Sequence, residues 1–196
     1  ERVPRGLAFL GVGPEQTLSY LPLLETPLAF LIDIRRDNAR LHFLYRALFE
    51  ETKTRSEWLA LLLARPYDKA SDPGPDASIE QVLAHATVGD PTEDTFRLAH
   101  ARVMSRLDRL SGLLVLGDRN RIFRIHRWFW EKQLNITFQL TGPQLRRYPS
   151  LRDLLIARAP DGRQLGFLAS EQAFRSVQEM QKSSRILPVT GDLSGE

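Results

Sequence analysis

Apolar residues open the chain in two short unbroken runs, residues 7–12 and 28–34, each closed by turn or charged residues: Gly13-Pro14 after the first, Arg35-Arg36-Asp37 after the second. Runs of this length without polar alternation predict parallel strands covered on both faces. Between them, residues 15–24 suit a short helix, with Pro14 at its start, where a missing N–H costs nothing, and Pro22 weakening its end. Helical spacing then takes over: Leu41, Leu44, Tyr45, Leu48 and Phe49 recur at i, i+3, i+4, i+7 and i+8, behind Asn38 as the expected N-cap. Thr54 with Glu57 predicts a capping box for a helix ending near Arg65-Pro66. Residues 67–77, rich in Asp, Pro and Gly, predict a loop, the stretch most suited to disorder and to insertions.

Further along, Ser78 with Gln81 caps a short helix, and Asp90-Pro91-Thr92-Glu93 supplies an N-cap, a first-position proline and an N3 acid for a long helix to about Leu110. Gly117-Asp118 opens a helix through Gln133, Gly142-Pro143 breaks the chain, and Ser150 with Asp153 starts another short helix. Pro160-Asp161-Gly162 is a turn, Ser170 caps a helix to about Lys182, and residues 185–190 form a third strand closed by Gly191-Asp192. The order β-α-β, helices, α-β predicts an α/β fold: a Rossmann-like parallel sheet, incomplete in this chain, with a helical insertion over residues 54–150. Residues 1–196 are expected to be one such domain cut at both ends, since the chain begins at Glu1 close to a strand and stops just after a strand-to-helix turn.

Candidate chemistry concentrates at that first βαβ unit. Asp33 follows Gly13 by about twenty residues, the distance that separates the glycine turn of a Rossmann unit from its ribose-binding carboxylate. Gly11 and Gly13 would let the backbone turn tightly beside a ligand, and Asp33 would accept hydrogen bonds from two ribose hydroxyls. Glu15 and Gln16, at the start of the first helix, would face the same ligand, and Glu15 also compensates the helix dipole. An amino group suits Glu15 better than a phosphate does. Arg35 and Arg36 read either as a solvated charged loop or as a grip on an acidic group, while Gly191 and Asp192 read as a plain turn or, if the sheet is parallel, as a second ligand-facing turn. The expected partner is a nucleoside-type small molecule.

The segments GVGPEQTLSY at residues 11–20, FLIDIRRDNARLHFLYRALFE at 30–50 and FLASEQAFRSVQEMQ with ILPVTGDLSG near the end carry a resemblance. They resemble a family of bacterial proteins with a methyltransferase-like Rossmann core, marked by GVGPEQ, DIRR and a late VxGDxxG turn. The resemblance covers both ends of the chain and little of the helical middle. It implies S-adenosylmethionine as cofactor and a chain that continues with another helix and strand, but it implies no acceptor and no catalytic residue. Phe9 stands where catalytic methyltransferases carry an acid, and Glu15 where they carry a third glycine. In the dinucleotide fingerprint the third glycine position is Gln16. These departures keep a second reading open, a non-catalytic binding or structural protein on a degenerate Rossmann scaffold.

Composition changes this picture little. Lys plus Arg number 27 against 24 Asp plus Glu, a net charge of +3, which neither demands nor excludes nucleic acid. Arg119, Arg121, Arg124 and Arg127 interleave with Phe123, Trp128, Phe129 and Trp130, a pattern that can grip nucleic acid. The same residues fit an amphipathic helix with Ile122, Phe123, Ile125, Phe129 and Trp130 inward, so a nucleic-acid partner is the less favoured alternative. The absence of cysteine removes disulfides and thiolate chemistry and agrees with a cytoplasmic setting without requiring it. His42, His85, His100 and His126 show no metal-ligand spacing, so no metal is expected, and no apolar run is long enough for a membrane span. Oligomeric state has no signature in the sequence.

Overall fold

A computed structural model describes residues 6–137 and 148–192. The chain runs β1 (Phe9–Gly11), α1 (Pro14–Leu24), β2 (Ala29–Asp33), α2 (Arg36–Glu51), α3 (Arg55–Leu62), α4 (Ile79–Ala86), α5 (Glu93–Arg109), α6 (Asp118–Lys132), α7 (Leu151–Leu155), α8 (Glu171–Lys182) and β3 (Ile186–Thr190). The strands form one parallel sheet in the order β1-β2-β3, with Gly11 paired to Leu31 and Asp33 to Thr190. The fold is α/β, mostly helical around a small parallel sheet, and is consistent with an incomplete Rossmann-like arrangement. Among the described residues, five α-helices, α3 to α7, lie between α2 and α8 in sequence. No helix among the described residues is long and apolar enough to cross a membrane.

The sheet is covered on one face. Along β2, Ala29, Leu31 and Asp33 are buried while Phe30 and Ile32 are half-exposed, and Leu10 and Val189 flanking them are exposed. This departs from the two-sided burial expected of the apolar runs. The cause lies in the topology: β1 to β2 and β2 to β3 step the same way across the sheet. Connections of one hand then bring their helices to one side.

The centre of the core is α2. Leu44, Tyr45, Leu48 and Phe49 are fully buried, and Trp58 of α3 sits 5.2 Å from the rings of Tyr45, Phe49 and Phe167. Residues 67–77, expected as the loosest stretch, are fastened from below. The buried Arg55 guanidinium donates to the carbonyls of Gly74, Pro75, Ala77 and Leu168, and Asp72 accepts from Thr54 and Tyr67. Four carbonyls that would otherwise face water or lie unpaired find one cation, so composition misled here.

The helix caps show how local rules yield to context. Ser78 with Gln81 and Ser150 with Asp153 form complete capping boxes, and Thr54 and Ser170 cap α3 and α8. Glu57, however, reaches back to the Lys53 N–H rather than to Thr54. The long helix α5 is capped by Thr92 with Thr95, not by Asp90, so Pro91 falls outside the helix. Helix α2 begins at Arg36, and Asn38, expected as its cap, lies in its first turn and points elsewhere. The expected break at Gly142-Pro143 lies outside the described residues.

Candidate functional site

At the carboxyl ends of the three strands lie the turns after Gly11, after Asp33 and at Gly191. Register sets Gly11 beside Leu31, so two residues further Gly13 and Asp33 stand at neighbouring strand ends. Gly191 joins them, its N–H donating to the Asp33 carbonyl at 3.1 Å. Helix α2 then clamps the first turn. Asn38 donates its side-chain amide to the Val12 carbonyl at 2.7 Å, and one turn on, His42 is buried beneath the same turn. Two turns from Asn38, the Tyr45 hydroxyl donates to Glu15.

The two glycines differ in what they are for. A Cβ on Gly11 would fall 2.5 Å from the Phe9 ring and 2.8 Å from the Thr17 hydroxyl. Its bareness therefore serves packing of β1 against α1, and the space beside it is filled by the protein's own side chains. Gly13 is the N-cap of α1 with φ −72°, a conformation any residue adopts, and a Cβ there would meet nothing within 4 Å. Neither backbone strain nor packing requires glycine at position 13, and the space beside it is open.

Asp33 is buried, with its carboxylate held by the next turn. Its Oδ1 accepts from the Arg35 N–H at 2.8 Å and from Arg35 Nε at 3.1 Å, and its Oδ2 from Arg35 Nη2 at 2.7 Å. The Arg35 hydrogen bonds hold the Asp33 carboxyl below its usual range despite burial, so it is ionised at neutral pH. Arg35 is itself exposed. Its guanidinium is therefore a solvent-accessible cover on the acid, able to exchange with another donor pair.

Glu15 requires a correction. It was expected to face a ligand over the strand ends, but its carboxyl turns into the core against Tyr45, and burial lifts its pKa to about 7 while the phenol bond pulls the other way. The reason is α2: the Tyr45 hydroxyl lies in its buried stripe and needs an acceptor, and the first turn of α1 supplies it. Gln16, the next residue, is exposed, as are Gly13 and Asp192. Of the sequence candidates, then, Gly13, Gln16, Asp33, Arg35, Gly191 and Asp192 gather at the strand ends, Gly11 is spent on packing, and Glu15 is internal.

Asn38, His42 and Tyr45 escaped sequence reading. The signal was their spacing, three polar residues at i, i+4 and i+7 on one face of a helix that follows a buried strand. Burial drives the His42 pKa down to about 4, opposed by the nearby Val12 carbonyl and the Asp33 carboxylate. The ring is therefore neutral at physiological pH.

The arginine-aromatic helix α6 is amphipathic. Ile122, His126 and Phe129 are fully buried, and Phe123, Ile125 and Trp130 pack against the core. Three of its arginines meet acids: Arg121 pairs with Asp37, Arg127 with Glu93 and Arg119 with Asp108. On α5, Arg102 and Arg106 both bind Glu51. Residues 4–114 match the model of a family described as Domain of unknown function (DUF7790). No curated protein and no solved structure matches the chain.

Proposed function

The chain belongs to the DUF7790 family, and we propose that it is a methyltransferase-like protein that binds a nucleoside, of the S-adenosylmethionine type, at the carboxyl edge of its sheet. In this reading the sheet is the first half of a Rossmann-like domain, and residues 54–150 are a helical insertion in its second crossover. The observation that carries the proposal is the meeting of Gly13, Asp33 and Gly191 at neighbouring strand ends, the edge at which open α/β sheets bind ligands. Asp33 would hold the two ribose hydroxyls after Arg35 swings aside. Gly13 would admit the ligand close to the backbone, and the exposed Gln16 and Asp192 would flank it.

The residues fit the nucleoside better than the amino-acid end of S-adenosylmethionine. Position 9 offers a phenyl ring packed on Gly11, and the Glu15 carboxyl is turned inward, so neither supplies an acceptor for the ammonium group. Where methyl transfer takes place, S-adenosylmethionine supplies the activated methyl group. The protein's part is then to hold it in line with an acceptor, since positioning alone removes much of such a barrier. A non-catalytic nucleoside sensor is the second reading, and the missing ammonium partner favours it.

Calorimetric titration with S-adenosylmethionine, S-adenosylhomocysteine, adenosine and NAD tests the proposal. Binding of the first three is expected, with Asp33→Ala weakening each by at least about tenfold, roughly 1.4 kcal/mol. Silence from a folded sample with all four ligands, or unchanged affinity in a stable Asp33→Ala variant, refutes it. Equal affinity for adenosine and S-adenosylmethionine would favour the sensor.

A further inference from the structure

A cavity of about 370 Å³ lies between α2 and β3, the edge strand of the sheet among the described residues. Ala39, Phe43, Leu113 and the five residues of β3 give it mostly apolar walls, while Arg36, Arg46, His42 and Gln181 supply polar groups. No carboxylate lines it. Such a mixture, apolar walls with a few convergent polar groups, is what small-molecule sites look like, and the volume falls in their range.

Two of these polar residues are unsatisfied. Among the described residues, six buried polar side-chain atoms lack a hydrogen-bond partner, and three of them belong to this cavity: both ring nitrogens of His42 and Nε2 of Gln181. Each residue is only 2% exposed. Buried donors are nearly always paired in folded proteins, so their clustering around one hollow calls for an explanation. Of the two arginines in the lining, Arg36 binds Asp118, which it shares with Arg40, and Arg46 binds Glu50 at 2.9 Å and donates to Ser184.

We propose that this cavity binds a small carboxylic acid with an apolar body, its carboxylate accepting from Gln181 and the neighbouring arginine and histidine donors and its hydrocarbon lying along Phe43 and β3. The lining is rich in donors and lacks anions, which selects an acceptor-rich, negatively charged head. At about 30 Å³ per non-hydrogen atom the space holds roughly a dozen such atoms, the size of a phenylpropionate or a medium-chain fatty acid. Strand addition by a peptide fits less well. Ala29 N–H donates to Arg185 and Gly191 N–H to Asp33, so odd-numbered residues of this strand bond inward to β2 and even-numbered ones face away from it. Pro188 therefore falls where an outward N–H is needed, the usual guard of an edge strand.

The proposal stands whether or not the strand ends take a nucleoside, and its test uses none. Binding of 3-phenylpropionate, octanoate and 3-phenylpropanamide is followed by calorimetry and by chemical shifts of the His42 ring. The acids are expected to bind and to move the His42 resonances, and the amide to bind at least tenfold more weakly. Gln181→Leu should weaken the acids tenfold or more without lowering the melting temperature, because it removes an unpaired donor and keeps the volume. Arg46→Gln, at the rim, provides an independent variant expected to weaken the acids but not the amide. No acid binding at millimolar concentration, equal binding of acid and amide, or a crystal structure with only ordered waters on His42 and Gln181 after soaking, overturns it.

Discussion

Glu15→Gln isolates the energetic effect of one buried carboxyl. Glu15 has little exposure and Tyr45 none, and around them lie the rings of Trp58 and Phe129. Burial raises the Glu15 pKa to about 7 from an ordinary 4.5, and burial, with the Glu15 carboxyl beside it, pushes the Tyr45 phenol well above its usual value. Between those two pH values the folded protein keeps the proton and the unfolded chain has lost it, so this carboxyl makes stability fall as pH rises. The fall is complete above about pH 7 and amounts to roughly 3 kcal/mol. The buried histidines act in the opposite sense. His42 and His126, each pushed down to about 4 chiefly by burial, are protonated first in the unfolded chain, so their contribution rises with pH between about 4 and 6.5. Two histidines outweigh one carboxyl in the wild-type curve, and only a difference reveals Glu15.

Glutamine keeps an acceptor for the Tyr45 hydroxyl and the shape of the side chain, and it cannot ionise. Urea unfolding of both proteins at half-unit steps from pH 4.5 to 8 gives the difference directly, provided the slope against denaturant is unchanged. The variant should match the wild type near pH 4.5 and exceed it by roughly 3 kcal/mol near pH 8. A difference that stays constant across this range, or a variant less stable at pH 8, would refute the assignment of a buried, reluctantly ionised Glu15.

The glycines give a paired expectation: Gly11→Ala should cost about 1–3 kcal/mol in thermal or urea unfolding, because its methyl meets Phe9 and Thr17. Gly13→Ala should leave stability within about 0.5 kcal/mol and act on nucleoside affinity alone; equal destabilisation by both would contradict their separate roles. Asp118, fully buried, accepts from Arg36, Arg40 and the Val115 N–H, and although burial opposes it these bonds lower its pKa to about 2. Its stabilisation is present above about pH 4 and lost as pH falls towards 2, and Asp118→Ala should cost about 3–5 kcal/mol at pH 7 by leaving two guanidiniums short of a partner. Arg55→Met should cost a similar roughly 3–5 kcal/mol and should expose residues 67–77 to limited proteolysis, since four carbonyls lose their donor; a variant as protease-resistant as the wild type would show that this loop is held by other contacts.

Local chemistry was legible in the chain wherever an element's own residues decide it. The apolar runs became β1 and β2, the residues closing at Gly191 became β3, and the Ser78, Ser150 and Ser170 caps formed as read, because a strand's apolar run and a cap's hydroxyl act within a few residues of themselves. The turn spacing also sufficed to bring Gly13 and Asp33 to one edge, since parallel pairing of neighbouring strands fixes register. What side chains do there was decided at a distance. Tyr45 drawing Glu15 inward and Arg55 fastening the loop at 67–77 depend on the packing around them. So does the cavity where His42 and Gln181 meet, from helices 139 residues apart in sequence. Periodicity carries the direction in which a residue points, while its partner is set by which helices the core brings together, and only the folded chain holds that information.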